Sequence, residues 1–463
     1  MPNSIEVCVL AAGKGTRMKS NKPKILHEVA GKPLVEHVID SVRDLEVERI
    51  HVIVGAGSDQ VESAFANRGL NFVSQLEQLG TGHAVQQAVP YLSSERTLIL
   101  VGDAPLITQT SLERLLSADG DLVILTAEHP DPYNYGRIVR DGEEVLHIVE
   151  ERDASVEEQR IREINTGVMV ARTEDLKNWL AELSTDNVQG EYLLTDIVKI
   201  AKQTGATVRA SLADSYEEAL GVNNFVQLSD VEKCFQMRAA RSLQMEGVHI
   251  VDPNRFTLRG NLKIGQDSFI DVDCVFEGNV ELGNGVQIGA NCVIRDTKIG
   301  ANTVIKPFTH IDGVEMEENC QAGPFSRLRP GTHFEPGVAV GNFVEVKKSR
   351  LGAGTKASHL SYLGDATIGK EVNIGAGAIT CNYDGVSKFE THIEDGVFVG
   401  VNAAMVAPIT IGEWSTIAAG STVTSKVPED TLSVGRARQR NIEGWKGPRN
   451  QKRNKISNEE QDG

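Results

Sequence analysis

In the second half of the chain, apolar residues return every six positions. Steps of six from Ile264 and from Ile393 reach an apolar residue every time. The positions reached are Ile270, Phe276, Leu282, Ile288, Val399, Met405, Ile411, Ile417 and Val423. Because only 40% of the chain is hydrophobic, coincidence is a poor explanation for such a run. A period of six is neither that of a helix nor the simple alternation of a strand.

A triangular coil accounts for the period of six. Each six-residue segment forms a short strand and a corner, three segments close a turn of about 18 residues, and turns stack at the β spacing of about 4.8 Å. Residues 248–434 then form roughly ten turns, and the pattern resembles the left-handed β-helix of the hexapeptide-repeat acyltransferases. The step from Ile374 to Ile393 shifts the phase by one residue. We therefore expect the CNYDGVSK stretch that begins at Cys381 to loop out.

The first half of the chain alternates between apolar runs and helical patterns. The apolar runs occupy residues 5–10, 50–54, 97–101 and 122–125. Between the first two runs, Leu34, Val38 and Val42 return at the spacing of a helix face. This alternation predicts an α/β domain with a Rossmann-like, mostly parallel sheet.

A single long helix is predicted between the two halves. Its apolar residues return at spacings of three and four, and Ser229 with Glu232 has the spacing of a capping box. The apolar residues are Leu228, Val231, Phe235, Ala239 and Leu243. The predicted organisation is an α/β domain at 1–225, a linker helix at 226–247 and a β-helix domain at 248–463, with a basic tail from about residue 435.

Composition and charge exclude several classes of protein. The chain has 463 residues, 47 Lys and Arg against 64 Asp and Glu, and a net charge of −17, so nucleic acid is not an expected partner. Its longest apolar runs fall far short of the roughly 18 residues that span a bilayer. The six cysteines show no CxxC spacing, and the N-terminus does not read as a secretory signal. We expect reduced thiols and a cytoplasmic enzyme.

A glycine-rich loop follows the first predicted strand. In LAAGKGTRM, residues 10–18, Gly13 and Gly15 let backbone amides approach phosphate oxygens, and Lys14 and Arg17 supply positive charge. The loop lacks the third glycine of a dinucleotide-binding fingerprint, where Met18 stands, and the GK[ST] of a P-loop. By itself the motif fits a tight strand-to-helix turn as well as a phosphate site.

Two further motifs favour the phosphate site over a simple turn. The LxxGxGxRM loop followed by Pro23 and Lys24 resembles the signature of the sugar-1-phosphate nucleotidyltransferases, and QLEQLGTGHA at 75–84 resembles their base-recognition loop in its uridine-selecting form. The resemblance implies transfer of UMP from UTP to a sugar-1-phosphate. It assigns nucleotide contacts to Leu10, Ala11, Ala12, Gly13, Arg17, Lys24 and Asn223, uracil contacts to Gln75, Gly80 and Thr81, and sugar contacts to Gly136, Glu150 and Asn165.

Asp103 follows the buried run LILVG, so its carboxylate is expected at the carboxyl end of a strand, where open α/β sheets bind ligands. An acid at this point could also cap the next helix. The resemblance assigns Asp103 to Mg²⁺, with Asn223 of GVNN as the other protein ligand. One departure from the family is Val101, where many relatives have Tyr.

The β-helix also carries a set of residues whose side chains suit ligand binding or catalysis. Arg329, Lys347, His359, Tyr362 and Asn373, with the Asn382-Tyr383 pair, resemble the acetyltransferase half of the bifunctional N-acetylglucosamine-1-phosphate uridyltransferase/glucosamine-1-phosphate acetyltransferase family. With the first half, this resemblance covers nearly the whole chain. It implies acetyl transfer from acetyl-CoA, and it implies homotrimers with active sites between subunits.

The resemblance also assigns roles at this second site. His359 has the chemistry of a general base, because an imidazole can accept the proton of an attacking amine near neutral pH. Arg329 and Lys347 are expected to bind the sugar phosphate, and Tyr362 and Asn373 the sugar. The expected acetyl-CoA contacts are Ala376, Asn382, Tyr383, Val401, Ala419 and Arg436. Val401 is a departure, since relatives commonly have Ser there.

The sequence therefore predicts a bifunctional enzyme of UDP-N-acetylglucosamine synthesis, which supplies a precursor for peptidoglycan and lipopolysaccharide. One alternative is a single-activity sugar-1-phosphate nucleotidyltransferase whose β-helix is only structural. Another is a degenerate scaffold protein. Arg436 and its basic neighbours up to Trp445 are expected to close over the coenzyme, and the chain after about Arg449, including Arg453, Lys455 and the acidic end, is expected to be solvated.

Overall fold

The computed structural model describes residues 4–55, 57–445, 447–449 and 452. Lys446, Arg453 and Lys455 of the predicted basic tail, and the acidic end, lie outside the described residues. The chain divides into two compact units, Met1–Thr297 and Lys298–Gly463. None of the helices in the described part of the chain has both the length and the apolar character that a bilayer crossing requires.

The first unit begins with an α/β arrangement of eleven strands and seven helices. The strands are β1 (Ile5–Ala11), β2 (Glu28–Val29), β3 (Lys32–Pro33), β4 (Val47–Val54), β5 (Asn71–Ser74), β6 (Arg96–Val101), β7 (Leu122–Glu128), β8 (Arg137–Asp141), β9 (Glu144–Val149), β10 (Glu163–Arg172) and β11 (Val208–Leu212). The α-helices are α1 (Leu34–Asp40), α2 (Ser58–Ala64), α3 (Thr81–Ala88), α4 (Gln109–Ser117), α5 (Thr173–Ala181), α6 (Asp196–Gln203) and α7 (Phe225–Met245).

Nine of these strands form one sheet in the order β5-β4-β1-β6-β10-β7-β11-β9-β8. The four predicted strands are confirmed as β1, β4, β6 and β7, and β1 pairs in parallel with β4 and β6. Alternate residues of β1 enter different cores, with Val7 and Val9 on one face and Cys8 on the other. Strand β10, which runs antiparallel between β6 and β7, was not predicted.

Helix α7 confirms the long helix and begins one residue before the predicted position 226, but its cap is not the predicted one. Asn224 is the N-cap, and its side chain accepts a 2.9 Å hydrogen bond from the backbone N–H of Gln227. The predicted capping box at Ser229 is wrong, because Ser229 lies inside the helix and donates its hydroxyl to the Phe225 carbonyl at 3.0 Å. Glu232 instead accepts a 2.7 Å bond from the backbone N–H of Ala30.

Residues 249–433 carry the short strands of a left-handed β-helix. The first unit contains β12 (His249–Ile250), β13 (Phe256–Ile264), β14 (Phe269–Ile270), β15 (Cys274–Leu282), β16 (Gln287–Ile288) and β17 (Val293–Arg295). The second unit contains β18 (Lys298–Ile299), β19 (Val304–Ile305), β20 (His310–Asp312), β21 (Val314–Met316), β22 (Gln321–Ala322), β23 (Arg327–Leu328), β24 (Thr332–Phe334), β25 (Ala339–Asn342), β26 (Glu345–Lys347), β27 (Arg350–Leu351), β28 (Lys356–His359), β29 (Tyr362–Gly364), β30 (Ala366–Ile368), β31 (Asn373–Ile374), β32 (Ile379–Cys381), β33 (Thr391–Ile393), β34 (Phe398–Val399), β35 (Ala404–Val406), β36 (Ile409–Ile411), β37 (Thr416–Ile417), β38 (Thr422–Val423) and β39 (Leu432–Ser433).

The predicted period-six residues form the interior of this coil. Ten of the eleven are buried, and Ile264 is partly buried. The predicted loop after Cys381 is confirmed, but the insertion is larger than a shift of one position suggests. Ile374 pairs with Val399, and Val399 pairs with Ile417 on the next turn, so the turn that contains the loop is longer than the next one by seven positions. An insertion of seven shifts a period of six by one, which is the shift the sequence shows.

Candidate active sites

A pocket of about 280 Å³ opens where β1 and β6 end. The carboxyl ends of these neighbouring parallel strands meet at one edge of the sheet, so the residues that follow each strand converge. Nine of the residues predicted for the nucleotide and its metal line this pocket, namely Leu10, Ala11, Ala12, Gly13, Lys24, Gln75, Gly80, Thr81 and Asp103.

The glycines of the loop after β1 have different structural roles. A Cβ on Gly13 would meet no atom within 4 Å, so the backbone there is open to a ligand. Gly15 has a positive φ of 61°, and a Cβ on it would lie 2.9 Å from the Cβ of Lys24. Gly15 therefore permits both the turn and the close approach of Lys24, while Met18 is buried and anchors the loop.

Two oxygen-bearing side chains converge on one point beside this loop. The Lys24 ammonium forms a salt bridge with Asp103 and donates to Oδ1 of Asn223 at 3.2 Å. Arg17 donates to the same Asn223 oxygen at 2.9 Å. The carboxylate and amide oxygens thus face a common position that a cation already occupies, and oxygen donors are what Mg²⁺ prefers. The two residues fit a magnesium ion held partly by phosphate and water.

The alternative role of Asp103 as a helix cap is excluded by the geometry. Helix α4 is capped by Thr108, whose side chain accepts from the backbone N–H of Ser111 at 3.2 Å. The backbone carbonyl of Asp103 accepts from the N–H of Val222 at 3.0 Å, and this bond brings the segment that contains Asn223 to the end of β6. Among the described residues, no group of three His, Cys, Asp or Glu could hold a metal.

The predicted uracil contacts lie at the start of α3. Gly80 has a φ of 121°, and a Cβ on it would lie 2.4 Å from the carbonyl oxygen of Tyr192. Thr81 accepts a 3.0 Å bond from the backbone N–H of Leu194. Gln75 is buried, and its amide nitrogen donates to the Gly80 carbonyl at 3.1 Å. These bonds fix the three residues in one rigid segment.

The three predicted sugar residues also lie together. A Cβ on Gly136 would lie 3.6 Å from Oε2 of Glu150 and 3.7 Å from the Cβ of Asn165. Burial raises the pKa of Glu150, and Thr195 opposes this shift by donating to its carboxylate at 3.3 Å. Val101 lines the pocket at the ends of β1 and β6 and two adjoining pockets that contain Glu150, so this departure from the family lies where the nucleotide and the sugar are predicted to bind.

The sequence analysis missed several residues of this site. Tyr135 lines the pocket of Asp103 and Asn223, and burial, together with the charge of Asp103, raises the pKa of its hydroxyl. A Cβ on Gly221 would lie 3.8 Å from Oδ1 of Asp103. Both residues are sequence neighbours of predicted residues, Gly136 and Asn223, and this adjacency was the available signal.

In the second unit, one corner of the coil carries a file of predicted residues. Strand register pairs Ala357 with Ile374, Ile374 with Val399 and Val399 with Ile417. The residues two positions further along are His359, Ala376, Val401 and Ala419, so they occupy equivalent places on four successive turns. We call these four residues the corner file. His359 and three predicted acetyl-CoA contacts therefore line one edge of the β-helix.

Asn342 extends this file by one turn and contacts His359. The two residues pair in register, and Nδ1 of the imidazole lies 2.9 Å from Oδ1 of the amide. The sequence analysis missed Asn342. Its signal is that it precedes His359 by one turn of this coil, the same separation that pairs Val340 with Ala357.

The predicted phosphate-binding residues also occupy adjacent turns. Leu328 pairs with Val346, so Arg329 and Lys347, one position further along, are neighbours. The ammonium of Lys388 lowers the pKa of Lys347, and Arg329 adds to this effect. Lys388, which the sequence analysis missed, lies in the inserted loop and completes a cluster of three positive charges.

The remaining predicted residues lie around these two groups. Asn382 donates to the hydroxyl of Tyr362 at 3.4 Å, and Tyr383 is exposed. Asn373 pairs in register with Lys356 on the turn of His359. Arg436 donates to the carbonyl oxygen of Ala419 at 2.6 Å, so the first basic residue of the tail reaches the corner file.

Comparison with known proteins agrees with an α/β domain followed by a β-helix. A MobA-like NTP transferase domain matches residues 7–164, and the bacterial transferase hexapeptide (six repeats) matches 261–296 and 390–425. Three relatives carry the name bifunctional protein GlmU. The one from Pseudoalteromonas atlantica is 48% identical over 96% of this chain and 99% of its own length. Those from Idiomarina loihiensis and Stutzerimonas stutzeri are each 50% identical, over 97% and 96% of this chain and 99% of their own lengths.

Proposed function

This chain belongs to the family of the bifunctional protein GlmU, and from that premise we propose how its residues divide two reactions between two sites. The chain is a bifunctional enzyme of UDP-N-acetylglucosamine synthesis. Its acetyltransferase activity acetylates glucosamine-1-phosphate, and its uridyltransferase activity transfers UMP from UTP to N-acetylglucosamine-1-phosphate and releases pyrophosphate. The proposal assigns the first reaction to the β-helix and the second to the α/β domain.

The uridylyl site is proposed at the pocket between β1 and β6. The convergence of Lys24, Asp103 and Asn223 carries this assignment. Mg²⁺, when held by Asp103 and Asn223, supplies positive charge that neutralises phosphate oxygens. With UTP bound, Lys24 and Arg17 move their contacts from these oxygens to the triphosphate. The backbone amides at Gly13 bind phosphate oxygens, because no side chain blocks their approach.

The sugar subsite is proposed beside Glu150. Gly136 leaves room at this point, and the Glu150 carboxylate and the Asn165 amide supply hydrogen-bonding groups to a sugar. The nucleophile is a phosphate oxygen that already carries negative charge, so the reaction needs no general base. The protein aligns the sugar phosphate in line with the α-phosphorus of UTP.

The acetyltransferase site is proposed along the corner file of the second unit. His359 accepts the proton of the glucosamine amine as the amine attacks the thioester carbon. The C–S bond then breaks, and the departing CoA thiolate takes up the proton from the imidazolium. Arg329 and Lys347 bind the sugar phosphate, and Lys388 adds a third charge. Tyr362 and Asn373 bind the sugar, and a backbone amide near Ala376 stabilises the oxyanion of the tetrahedral intermediate.

Acetyl-CoA is proposed to lie along the corner file, on the side of His359 away from Asn342. Ala376, Val401 and Ala419 follow His359 turn by turn, so a linear coenzyme can run along this edge with its thioester beside the imidazole. Asn382, Tyr383 and Arg436 flank the same edge. Val401 contributes an apolar contact where relatives have a hydroxyl.

A homotrimer is proposed from the family resemblance, and an apolar ladder beside this edge of the β-helix supports self-association. Phe308, Phe325 and Phe343 stack at centroid distances of 5.0 and 5.5 Å, yet the three rings are 51%, 48% and 56% exposed. Burial of such a ladder against a second copy would remove apolar surface from water and enclose the adjacent His359. A cytoplasmic location is proposed because all six cysteines are free.

The alternative with a purely structural β-helix is weaker. Arg329 forms a salt bridge with Glu345 at 2.8 Å, but Lys347 and Lys388 still repel each other, and a structural coil does not require these two ammonium groups to lie together. The test is to incubate the full-length protein with acetyl-CoA, glucosamine-1-phosphate, UTP and Mg²⁺ and to assay each product separately. Pyrophosphate formed only when N-acetylglucosamine-1-phosphate is supplied, without release of free CoA, would favour the alternative.

A further inference from the structure

The amide of Gln75 is held in one orientation by its surroundings. Its side chain is buried, and the amide nitrogen lies 3.1 Å from the carbonyl oxygen of Gly80 and 3.0 Å from Nδ1 of His83. A carbonyl oxygen can only accept a hydrogen bond, so the nitrogen of the amide, and not its oxygen, must face Gly80. Both N–H groups of Gln75 are then used within the protein.

The amide oxygen of Gln75 is the atom left for a ligand. No described residue donates a hydrogen bond to this oxygen, and Gln75 lines the nucleotide pocket. The fixed amide therefore presents a lone acceptor to the base.

His83 provides the second anchor of this amide. It lies in the first turn of α3, and its ring packs against Tyr192 with a centroid distance of 6.2 Å. Because Nδ1 accepts from Gln75, this nitrogen carries no proton, and the neutral ring carries its proton on Nε2. The tautomer of His83 and the orientation of Gln75 thus determine each other.

A second glutamine on α3 is compatible with this tautomer. The Gln87 amide nitrogen lies 3.1 Å from Nε2 of His83, and it donates to the backbone carbonyl of His83 at 3.2 Å. A neutral imidazole has one lone pair, so only one of the two amides can donate to it. Gln75 is buried and fixed by Gly80, whereas Gln87 is only partly buried. We therefore assign the lone pair to Nδ1, because turning the partly exposed Gln87 amide costs only its 3.2 Å bond to the His83 carbonyl, which water can replace.

We propose that His83 is a specificity-determining residue that selects uridine over cytidine nucleotides by holding Gln75 with its amide oxygen towards the base. Uracil has an N–H donor at N3, which pairs with this oxygen. Cytosine has an unprotonated N3 in the same position, and two acceptors repel each other. This inference rests on the proposed function, in which Gln75 contacts the base, and adds the group that sets its orientation.

Two substitutions of His83 test the inference in the full-length protein. His83→Leu removes the acceptor and keeps apolar bulk, whereas His83→Asn keeps an oxygen near the position of Nδ1. We expect His83→Leu to lower the ratio of kcat/KM for UTP over CTP at least tenfold, because the free amide can then also donate to N3 of cytosine. His83→Asn should keep the ratio within about threefold. Acetyl transfer and thermal unfolding report whether each variant is folded.

A third variant separates this inference from the proposed function. Gln75→Leu should also lower the UTP over CTP ratio. If Gln75→Leu lowers the ratio and a folded His83→Leu does not, the role of His83 is wrong while the uracil site stands. If Gln75→Leu leaves the ratio unchanged, the uracil contact itself is wrong. Nitrogen NMR of His83 gives an independent check, since a ring protonated on Nδ1 would contradict the proposed hydrogen bond.

Discussion

Nδ1 of His359 lies 2.9 Å from Oδ1 of Asn342, on the preceding turn of the β-helix. When the amide oxygen accepts from Nδ1–H, the imidazole keeps its lone pair on Nε2 and its plane is fixed. Such a ring is prepared to accept a proton at Nε2. The register that places His359 between Asn342 and Ala376 thus supplies both the orientation of the proposed base and its position beside the proposed coenzyme edge.

Replacement of Asn342 by Ala is expected to lower kcat for acetyl transfer by about tenfold, because the imidazole loses the bond that fixes its tautomer. The uridylyl activity of the same variant is the control for folding. Asn342→Asp keeps an acceptor at the same position and should retain more activity, with the acidic limb of the kcat profile shifted to higher pH, since a carboxylate favours the imidazolium. Equal losses in both variants at every pH would contradict a positioning role.

Replacement of His359 by Ala is expected to lower acetyl transfer by at least the roughly 100-fold that removal of a general base costs. Uridylyl transfer, assayed with N-acetylglucosamine-1-phosphate supplied directly, should be unchanged. His392→Ala is a matched control, because His392 is another partly exposed histidine of the β-helix. An unaltered acetylation rate at saturating substrates would remove His359 from the mechanism.

Asp103→Ala is expected to abolish pyrophosphate release from UTP, since one of the two proposed oxygen ligands for Mg²⁺ is lost. Acetyl transfer should continue, because Asp103 and His359 lie in different compact units. The two activities are measured separately, and Mn²⁺ binding in the presence of UTP reports the metal site directly. Loss of both activities in a variant that melts normally would refute the separation of the sites.

The sequence predicted well those features that local patterns encode. A buried strand interior and a period of six are visible along the chain, so β1, β4, β6, β7 and the stacked coil were found. Strand order depends on pairing between distant segments, and β10 was therefore missed. The capping box at Ser229 failed because Asn224, which comes earlier in the chain, satisfies the helix terminus first.

The candidate sites show the same limit at the level of single residues. Residues inside motifs, such as Lys24 and His359, were predicted because those motifs resemble known families. Asn342 and Lys388 were missed because their partners come from neighbouring turns, and the length of a turn varies along the coil. The turn that pairs Ile374 with Val399, for example, is longer than the one that pairs Asn342 with His359. Contacts of this kind become visible only when the length of each turn is known.

Glu150→Gln is expected to weaken sugar binding and to stabilise the fold at high pH. Burial raises the pKa of Glu150 above its ordinary value of 4.5, so the folded state loses stability as pH rises through the interval from that value to the raised pKa. The variant does not ionise and avoids this cost. The gain in Tm over wild type should therefore be larger at pH 8 than at pH 5.

The exposed Glu182→Gln is the control for this pH effect and should show no such difference. The KM for N-acetylglucosamine-1-phosphate should rise roughly tenfold in Glu150→Gln, the usual effect of losing a charged hydrogen-bond partner. A Tm difference that is independent of pH would show that burial of the Glu150 carboxylate does not affect stability.

Shortening of the basic tail is expected to separate assembly from acetyl transfer. Arg436 reaches the corner file through the carbonyl of Ala419, and a guanidinium there can bind the phosphates of acetyl-CoA. Trp445 is 69% exposed in the single chain, so its ring offers apolar area to the coenzyme or to another subunit. We expect a chain that ends at Val434 to form the proposed trimer and to keep uridylyl transfer while losing acetyl transfer.

A chain that ends at Arg449 should have both activities, because it keeps Arg436 and Trp445. The shorter truncation also removes Gly435, whose carbonyl accepts from the N–H of Thr422 at 3.0 Å, so Arg436→Ala in the full-length protein is the finer test. It should raise the KM for acetyl-CoA roughly tenfold, as expected for a lost contact to a charged group, without changing the mass in solution. A monomer with full acetyltransferase activity, or full acetylation by the chain that ends at Val434, would contradict this role of the tail.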